Sequence, residues 1–140
     1  MCLGFQVAVV QYARDVLSLE GANSEEFDAL AKDRVIIHMP DVDRAKMGGT
    51  MRLGLHKTIF QSGSEWSKLR QLYYGAEVIE ERHRHRYEVN PEYVDRLMEA
   101  GMNFVGKDTK GDRMGVFELN DHPFYVGTFS KNLLLHRGRG

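Results

Sequence analysis

The sequence has almost no cysteine, little proline and no charge imbalance. Cys2 is the only cysteine in 140 residues, which excludes an internal disulfide and a cysteine-rich zinc site and fits a reducing compartment, the cytoplasm by default. With three prolines there is no proline-rich linker, and no repeat or low-complexity run divides the chain. Nineteen basic side chains against twenty acidic ones give a formal charge of -1, so no overall field draws in nucleic acid or an anionic membrane. The longest apolar stretch near the start, residues 7–10, is far short of the ~20 residues that cross a bilayer, and no signal-peptide pattern precedes it. Neither nucleic acid nor membrane is expected as a partner.

What is present suits one soluble domain: 42% of residues are hydrophobic and 28% charged. A chain of this length buries roughly two-thirds of its unfolded surface without staples. Phe5, Val9, Tyr12, Val16 and Leu19 recur at intervals of three and four, which predicts an amphipathic helix over 5–19 closed by Gly21. Asn23 followed by Glu26 has capping-box spacing and predicts a short helix over 27–31. A β-branched run at 34–39 stopped by Pro40 reads as a strand, and 41–46 as loop. The alternation of Met51, Leu53 and Leu55 predicts a second strand with those residues inward, with Ile59 and Phe60 extending it. Ser64 is placed to cap a helix carrying Trp66, Leu69, Leu72 and Tyr73 inward, ended by Gly75, with a strand over 76–81 after it. Asn90-Pro91 opens a helix that buries Tyr93, Val94, Leu97 and Met98 and stops at Gly101. Strands at 102–105, 114–119 and 124–126 complete an α/β pattern.

The chemistry-bearing residues are few. Cys2 stands just before a helix, where unpaired N–H groups and the positive dipole end favour a thiolate and can hold an oxyanion; a lone cysteine near a terminus is more often an inert small residue. Glu26 reads equally as the partner of Asn23 in a cap. The run from Glu80 to Glu88 alternates in sign, which usually marks a solvated strand with exposed ion pairs. His83 and His85, two apart, share one face of a strand, but without a third ligand in view no metal site is expected.

Cys2-Leu3-Gly4-Phe5-Gln6 is similar to the Cys-Leu-Gly-Met-Gln of the glutaminase (class I glutamine amidotransferase) domains of CTP synthases. The blocks Asn23-Ser24-Glu25-Glu26-Phe27, Met47-Gly48-Gly49-Thr50-Met51-Arg52-Leu53-Gly54, Glu81-Arg82-His83-Arg84-His85-Arg86-Tyr87-Glu88-Val89-Asn90 and His122-Pro123-Phe124-Tyr125-Val126-Gly127 resemble that family in order and spacing. The resemblance implies a class I glutamine amidotransferase fold, a mixed sheet flanked by helices. It implies Cys2 as the nucleophile that attacks the side-chain amide of L-glutamine to give a thioester and ammonia. Leu3, Gly4, Phe5 and Gln6 would line the glutamine pocket, Leu3 offering a backbone N–H to the oxyanion. Glu26 would bind the substrate's amino group and Arg86 its carboxylate end. Ammonia would pass to a synthetase domain that aminates UTP to CTP. ATP and magnesium belong to that absent domain, so no cofactor is expected in this segment.

Two departures from the family pattern matter. The sequence starts one residue before the nucleophile, so the expected fold is partial, without the N-terminal strands and the glycine-rich oxyanion segment. After Gly127 the family's His-x-Glu pair is not found; residues 130–140 read as a divergent tail on a partial domain of residues 1–129, and His136 has no orienting carboxylate in the family position. The expectation is a glutaminase portion without turnover, lacking the base that activates thiol and water. The alternative is a catalytically dead partner or regulator of a full-length CTP synthase.

Overall fold

Asp15 ends the first helix, four residues before the apolar periodicity does. A computed structural model describes residues 2–40 and 52–130, without the side chains of Cys2, Arg52 and Leu53. The expected loop at 41–46, the start of the glycine-rich block and the 131–140 tail with His136 therefore lie outside the described residues. Helix α1 (Cys2–Asp15) buries Phe5 and Val9 as the spacing predicts, together with Val10 and Ala13, whereas Val16, expected inward, is exposed. Beyond Asp15 the chain turns through Ser18 at φ 56°, and the Arg14 guanidinium donates to the carbonyl of Ala22 at 2.8 Å. Leu17 and Leu19 still pack on the core, but from a turn. The spacing places Leu19 correctly, but the reversal after Asp15 turns Val16 outward and brings Leu17 in.

The helix expected over 27–31 does not form. Ala22–Ser24 is instead a short strand, β1, running parallel to β2 (Asp33–His38). Asn23 Oδ1 accepts from the next amide, that of Ser24, at 2.9 Å, so it caps nothing. The N–H groups of Phe27 and Asp28 both donate to the carbonyl of Ser24, making tight turns. Phe27 and Leu30 are exposed, Leu30 by 93%, so a helix here would have had no apolar face to bury.

Strand β3 (Arg52–Phe60) pairs antiparallel with β4 (Val78–His85). The inward phase of β3 is opposite to the expected one: Thr58 and Phe60 are buried, whereas Leu55 is 61% exposed. Pairing decides this, because His56 faces Glu81 and Thr58 faces Ile79 on the buried side of β4, while Leu55 faces the exposed Arg82. The same alternation corrects the reading of 80–88 as a solvated run. Ile79, Glu81, His83 and His85 are all buried, and the arginines between them face out.

Between these strands, α2 (Lys68–Leu72) starts later than expected. Ser64 donates its hydroxyl to the carbonyl of Gln61 at 2.6 Å. Ser67 is the true cap, accepting from the amide of Arg70 and donating to the buried carboxylate of Glu118 at 2.7 Å. Glu118 also accepts from the amide of Lys68 at 2.8 Å. A distant carboxylate thus occupies the N-terminus of the helix, and Leu72, expected inward, is exposed. The helix α3 (Pro91–Glu99) begins at Asn90 as expected, and the chain leaves it through Gly101 at φ 110°. Leu97 points inward and Met98 outward.

Two sheets result. One is three-stranded and mixed, in the order β1-β2-β5, with β5 spanning Tyr87–Val89. The other is five-stranded and antiparallel, β4-β3-β6-β7-β8, with β6 at Met102–Lys107, β7 at Met114–Leu119 and β8 at Val126–Thr128. The chain steps from one to the other at Arg86, the single residue between β4 and β5. The α/β class is as expected, though the one mixed sheet of that expectation is divided in two. Phe5 ties the helix to the larger sheet, its ring stacked on Phe129 at 3.8 Å and edge-on to Phe117 at 5.0 Å.

That aromatic cluster needs Gly127, since a Cβ there would stand 2.1 Å from the Phe117 ring. Gly127→Ala is expected to lower stability by roughly 1–3 kcal/mol through overpacking, read as a lower denaturant midpoint; an unchanged midpoint would show that Phe117 moves aside freely. A second expectation concerns alkali. Burial, and then the Glu81 carboxylate to which its hydroxyl donates, hold the Tyr73 phenol above its ordinary value of 10.0. Because the folded state keeps the proton longer than an unfolded chain does, this contribution is whole below the ordinary value and is lost as pH rises through the raised one. Stability measured across that range should fall less steeply in Tyr73→Phe than in the unmutated chain.

Candidate functional site

Helix α1 delivers its first residues to two different surroundings. Leu3 and Gly4 are exposed, while Phe5 and Gln6 turn inward. The Phe5 ring is taken up by the aromatic cluster. Gly4 and Phe5 edge a cleft of about 370 Å³ completed by Phe117, Phe124, Tyr125 and Val126 among others; Gln6, Glu26 and Arg86 do not line it. The Cys2 backbone opens the helix, and its side chain lies outside what the structure describes.

Gln6 is almost wholly buried, and a buried carboxamide must be bonded at both its oxygen and its nitrogen. Its Nε2 donates to Glu26 Oε2 at 2.7 Å, joining residues twenty apart in sequence. Its Oε1 accepts from the hydroxyl of Ser24 at 2.7 Å. Ser24 Oγ in turn accepts from the amide of Glu26 at 3.1 Å. Two of the expected site residues, Gln6 and Glu26, are thus in direct contact, and the other oxygen of Glu26 has no partner among the described residues. Sequence reasoning missed Ser24; its position two residues before Glu26, the spacing of a serine turn, was the available signal.

Arg86 lies at the corner between the sheets. Its carbonyl accepts from the amide of Met39 at 2.8 Å, and the preceding amide, that of His38, donates to Glu25 Oε2 at 2.8 Å. Two successive amides at the end of β2 therefore hold the Glu25–Glu26 turn on one side and Arg86 on the other. The Nε of Arg86 is buried and has no hydrogen-bond partner among the described residues. Buried guanidinium nitrogens without an acceptor are uncommon, because the desolvation cost goes uncompensated. No hydrogen bond or ion pair joins Arg86 to Gln6 or Glu26.

Next to Arg86, His83 and His85 do share a face and contact each other. His85 Nδ1 stands 3.0 Å from the carbonyl of Tyr87, which can only accept, so that nitrogen donates. His85 Nε2 is then the acceptor for His83 Nδ1 at 3.2 Å. The His85 ring stacks on Phe129 at 4.4 Å, and Phe129 stacks on Phe5. A row of rings thus connects the strand before Arg86 to the first turn of α1. Among the described residues no three histidine, cysteine or carboxylate side chains converge to hold a metal, and no helix is long and apolar enough to cross a membrane.

Residues 1–128 match the family described as Glutamine amidotransferase class-I. The chain is 60% identical to the CTP synthase of Neurospora crassa and 54% identical to that of Schizosaccharomyces pombe, each over 127 residues and 91% of this chain. It spans only 22% and 21% of the length of those relatives. Among solved structures, the Trypanosoma brucei CTPS glutaminase domain with bound acivicin superposes with a TM-score of 0.78 at 33% identity, over 91% of this chain and 49% of that one. The chain belongs to the class I glutamine amidotransferase family, and the part of that family it resembles is the glutaminase domain of CTP synthases.

Proposed function

We propose that this chain is the glutaminase portion of a CTP synthase and that it binds L-glutamine between Glu26 and Arg86. The observation that carries the reading is the contact of Gln6, in the first turn of α1, with Glu26. That contact brings a carboxylate oxygen, unpartnered among the described residues, to the start of the helix that bears Cys2. The substrate ammonium takes that oxygen and its carboxylate takes the guanidinium of Arg86, whose Nε has no acceptor among the described residues. Gln6 backs the Glu26 side of the site, and the amide N–H of Leu3 receives the oxyanion at the helix N-terminus. The Cys2 thiolate attacks the amide carbon, the amide nitrogen takes a proton from water and leaves as ammonia, and a thioester remains on sulfur.

The ammonia is consumed in a synthetase domain, where ATP and magnesium activate UTP for amination. No His-x-Glu pair follows Gly127 within residues 128–140, and the residues named here carry the reaction as far as the thioester. The whole enzyme's activity, and the cytoplasmic setting that suits a pyrimidine-forming ligase, are part of the same reading. Acivicin, bound in the trypanosomal relative, supplies the test. The 140-residue chain should take up one equivalent on Cys2, measured by mass spectrometry, at a rate that L-glutamine slows. Glu26→Gln should weaken that protection by about tenfold or more, the weight of a charge-assisted hydrogen bond. Uptake indifferent to glutamine, or sustained ammonia release at the rate of an intact amidotransferase, would contradict the reading.

A further inference from the structure

We propose that Ser24 is a positioning residue for glutamine: its hydroxyl fixes which way the Gln6 carboxamide faces, and through that amide it aims Glu26 at the substrate ammonium. The inference rests on the glutamine site proposed above and deepens it.

The hydrogen bonds among Glu26, Ser24 and Gln6 form a closed ring. The Glu26 amide donates to Ser24 Oγ at 3.1 Å, Ser24 Oγ donates to Gln6 Oε1 at 2.7 Å, and Gln6 Nε2 donates to Glu26 Oε2 at 2.7 Å. The path starts on the backbone of Glu26 and returns to its side chain. Each member is both donor and acceptor, so each bond polarises the next in the same sense. Ser24 is wholly buried and Gln6 nearly so; water has no ready access to replace a missing partner.

The ring admits one orientation of the amide. A serine hydroxyl carries a single proton, and here it accepts from Glu26 N–H while giving that proton to Gln6. Turning the carboxamide over would set Gln6 Oε1 against the Glu26 carboxylate, two acceptors facing each other, and would leave Nε2 against Ser24. In the observed sense Glu26 Oε2 is held by Gln6 and Oε1 is left for a ligand. Without the hydroxyl, Gln6 Oε1 loses its donor in a dry site, and the amide is held at its nitrogen alone. The Glu26 carboxylate then rests on an amide that can swing about that one bond. Ser24, buried behind Gln6, acts through that amide and does not touch the substrate.

The test uses competition against acivicin labelling of Cys2 in the 140-residue chain. The competitors are L-glutamine and glutaramic acid, which has the same amide and carboxylate but no amino group. In the unmutated chain glutamine should protect about tenfold better or more, the contribution of an ammonium–carboxylate bond. Ser24→Ala should shrink this preference by about threefold or more, and Ser24→Thr, which keeps the hydroxyl, should hold it. The ratio comes only from folded molecules, and a residue that merely supports the fold would weaken both competitors alike. An unchanged ratio in Ser24→Ala, an equal loss of both competitors, or a collapsed ratio in Ser24→Thr would overturn the proposal. An unmutated chain that glutamine does not protect would instead defeat the glutamine reading itself. If Ser24→Ala does not fold, the unmutated chain decides by nuclear magnetic resonance: the Gln6 Nε2 protons should show a stronger Overhauser contact to the Glu26 side chain than to the Ser24 methylene, and the reverse would overturn the proposal.

Discussion

A carboxamide buried at the start of α1 governs much of this structure. Burying Gln6 without partners would leave at least one donor and one acceptor unsatisfied, at a cost of about 1–3 kcal/mol each. The fold meets that demand with residues 24 and 26. The stretch 22–31 is therefore a strand followed by turns. The strand sets Ser24 behind the amide, and the turn brings the Glu26 carboxylate back over it.

The larger sheet reaches the same place from the other side. Its β4 strand turns a row of polar side chains inward, and the rings of His85, Phe129 and Phe5 connect that row to α1. One residue beyond the strand, Arg86 makes the passage into the smaller sheet, its carbonyl pinned by Met39. Loop residues placed by rigid neighbours are a common way to hold polar groups ready for a ligand. In the glutamine site proposed above, the first turn of a helix, the turn after β1 and the corner between two sheets are the three such places.

Much of the fold was legible in the sequence where one local cause dominates. Asn90-Pro91 and Gly101 set the bounds of α3 because proline and a positive φ leave little choice. The inward placing of Phe5 and Val9 on α1 followed from their spacing. The errors arose where a distant partner decided the outcome. Glu118, fifty residues away, moved the start of α2 from Ser64 to Ser67. The register with β4 reversed the inward face of β3, and burial of one side of β4 overruled its alternating charges. At the site, the resemblance pointed to Gln6 and Glu26, and the structure shows them in contact. Ser24 was passed over because a serine beside an asparagine reads as an ordinary turn until the burial of Gln6 is known.

In the function proposed here, Glu26 and Arg86 face one amino-acid ligand from two sides. A crystal structure of this chain grown with L-glutamine tests it directly. The ligand's ammonium should lie within hydrogen-bond distance of Glu26, still held by Gln6, and its carboxylate against the guanidinium of Arg86. Glutamine bound elsewhere, or Arg86 satisfied by the protein with no ligand beside it, would overturn the assignment of this site.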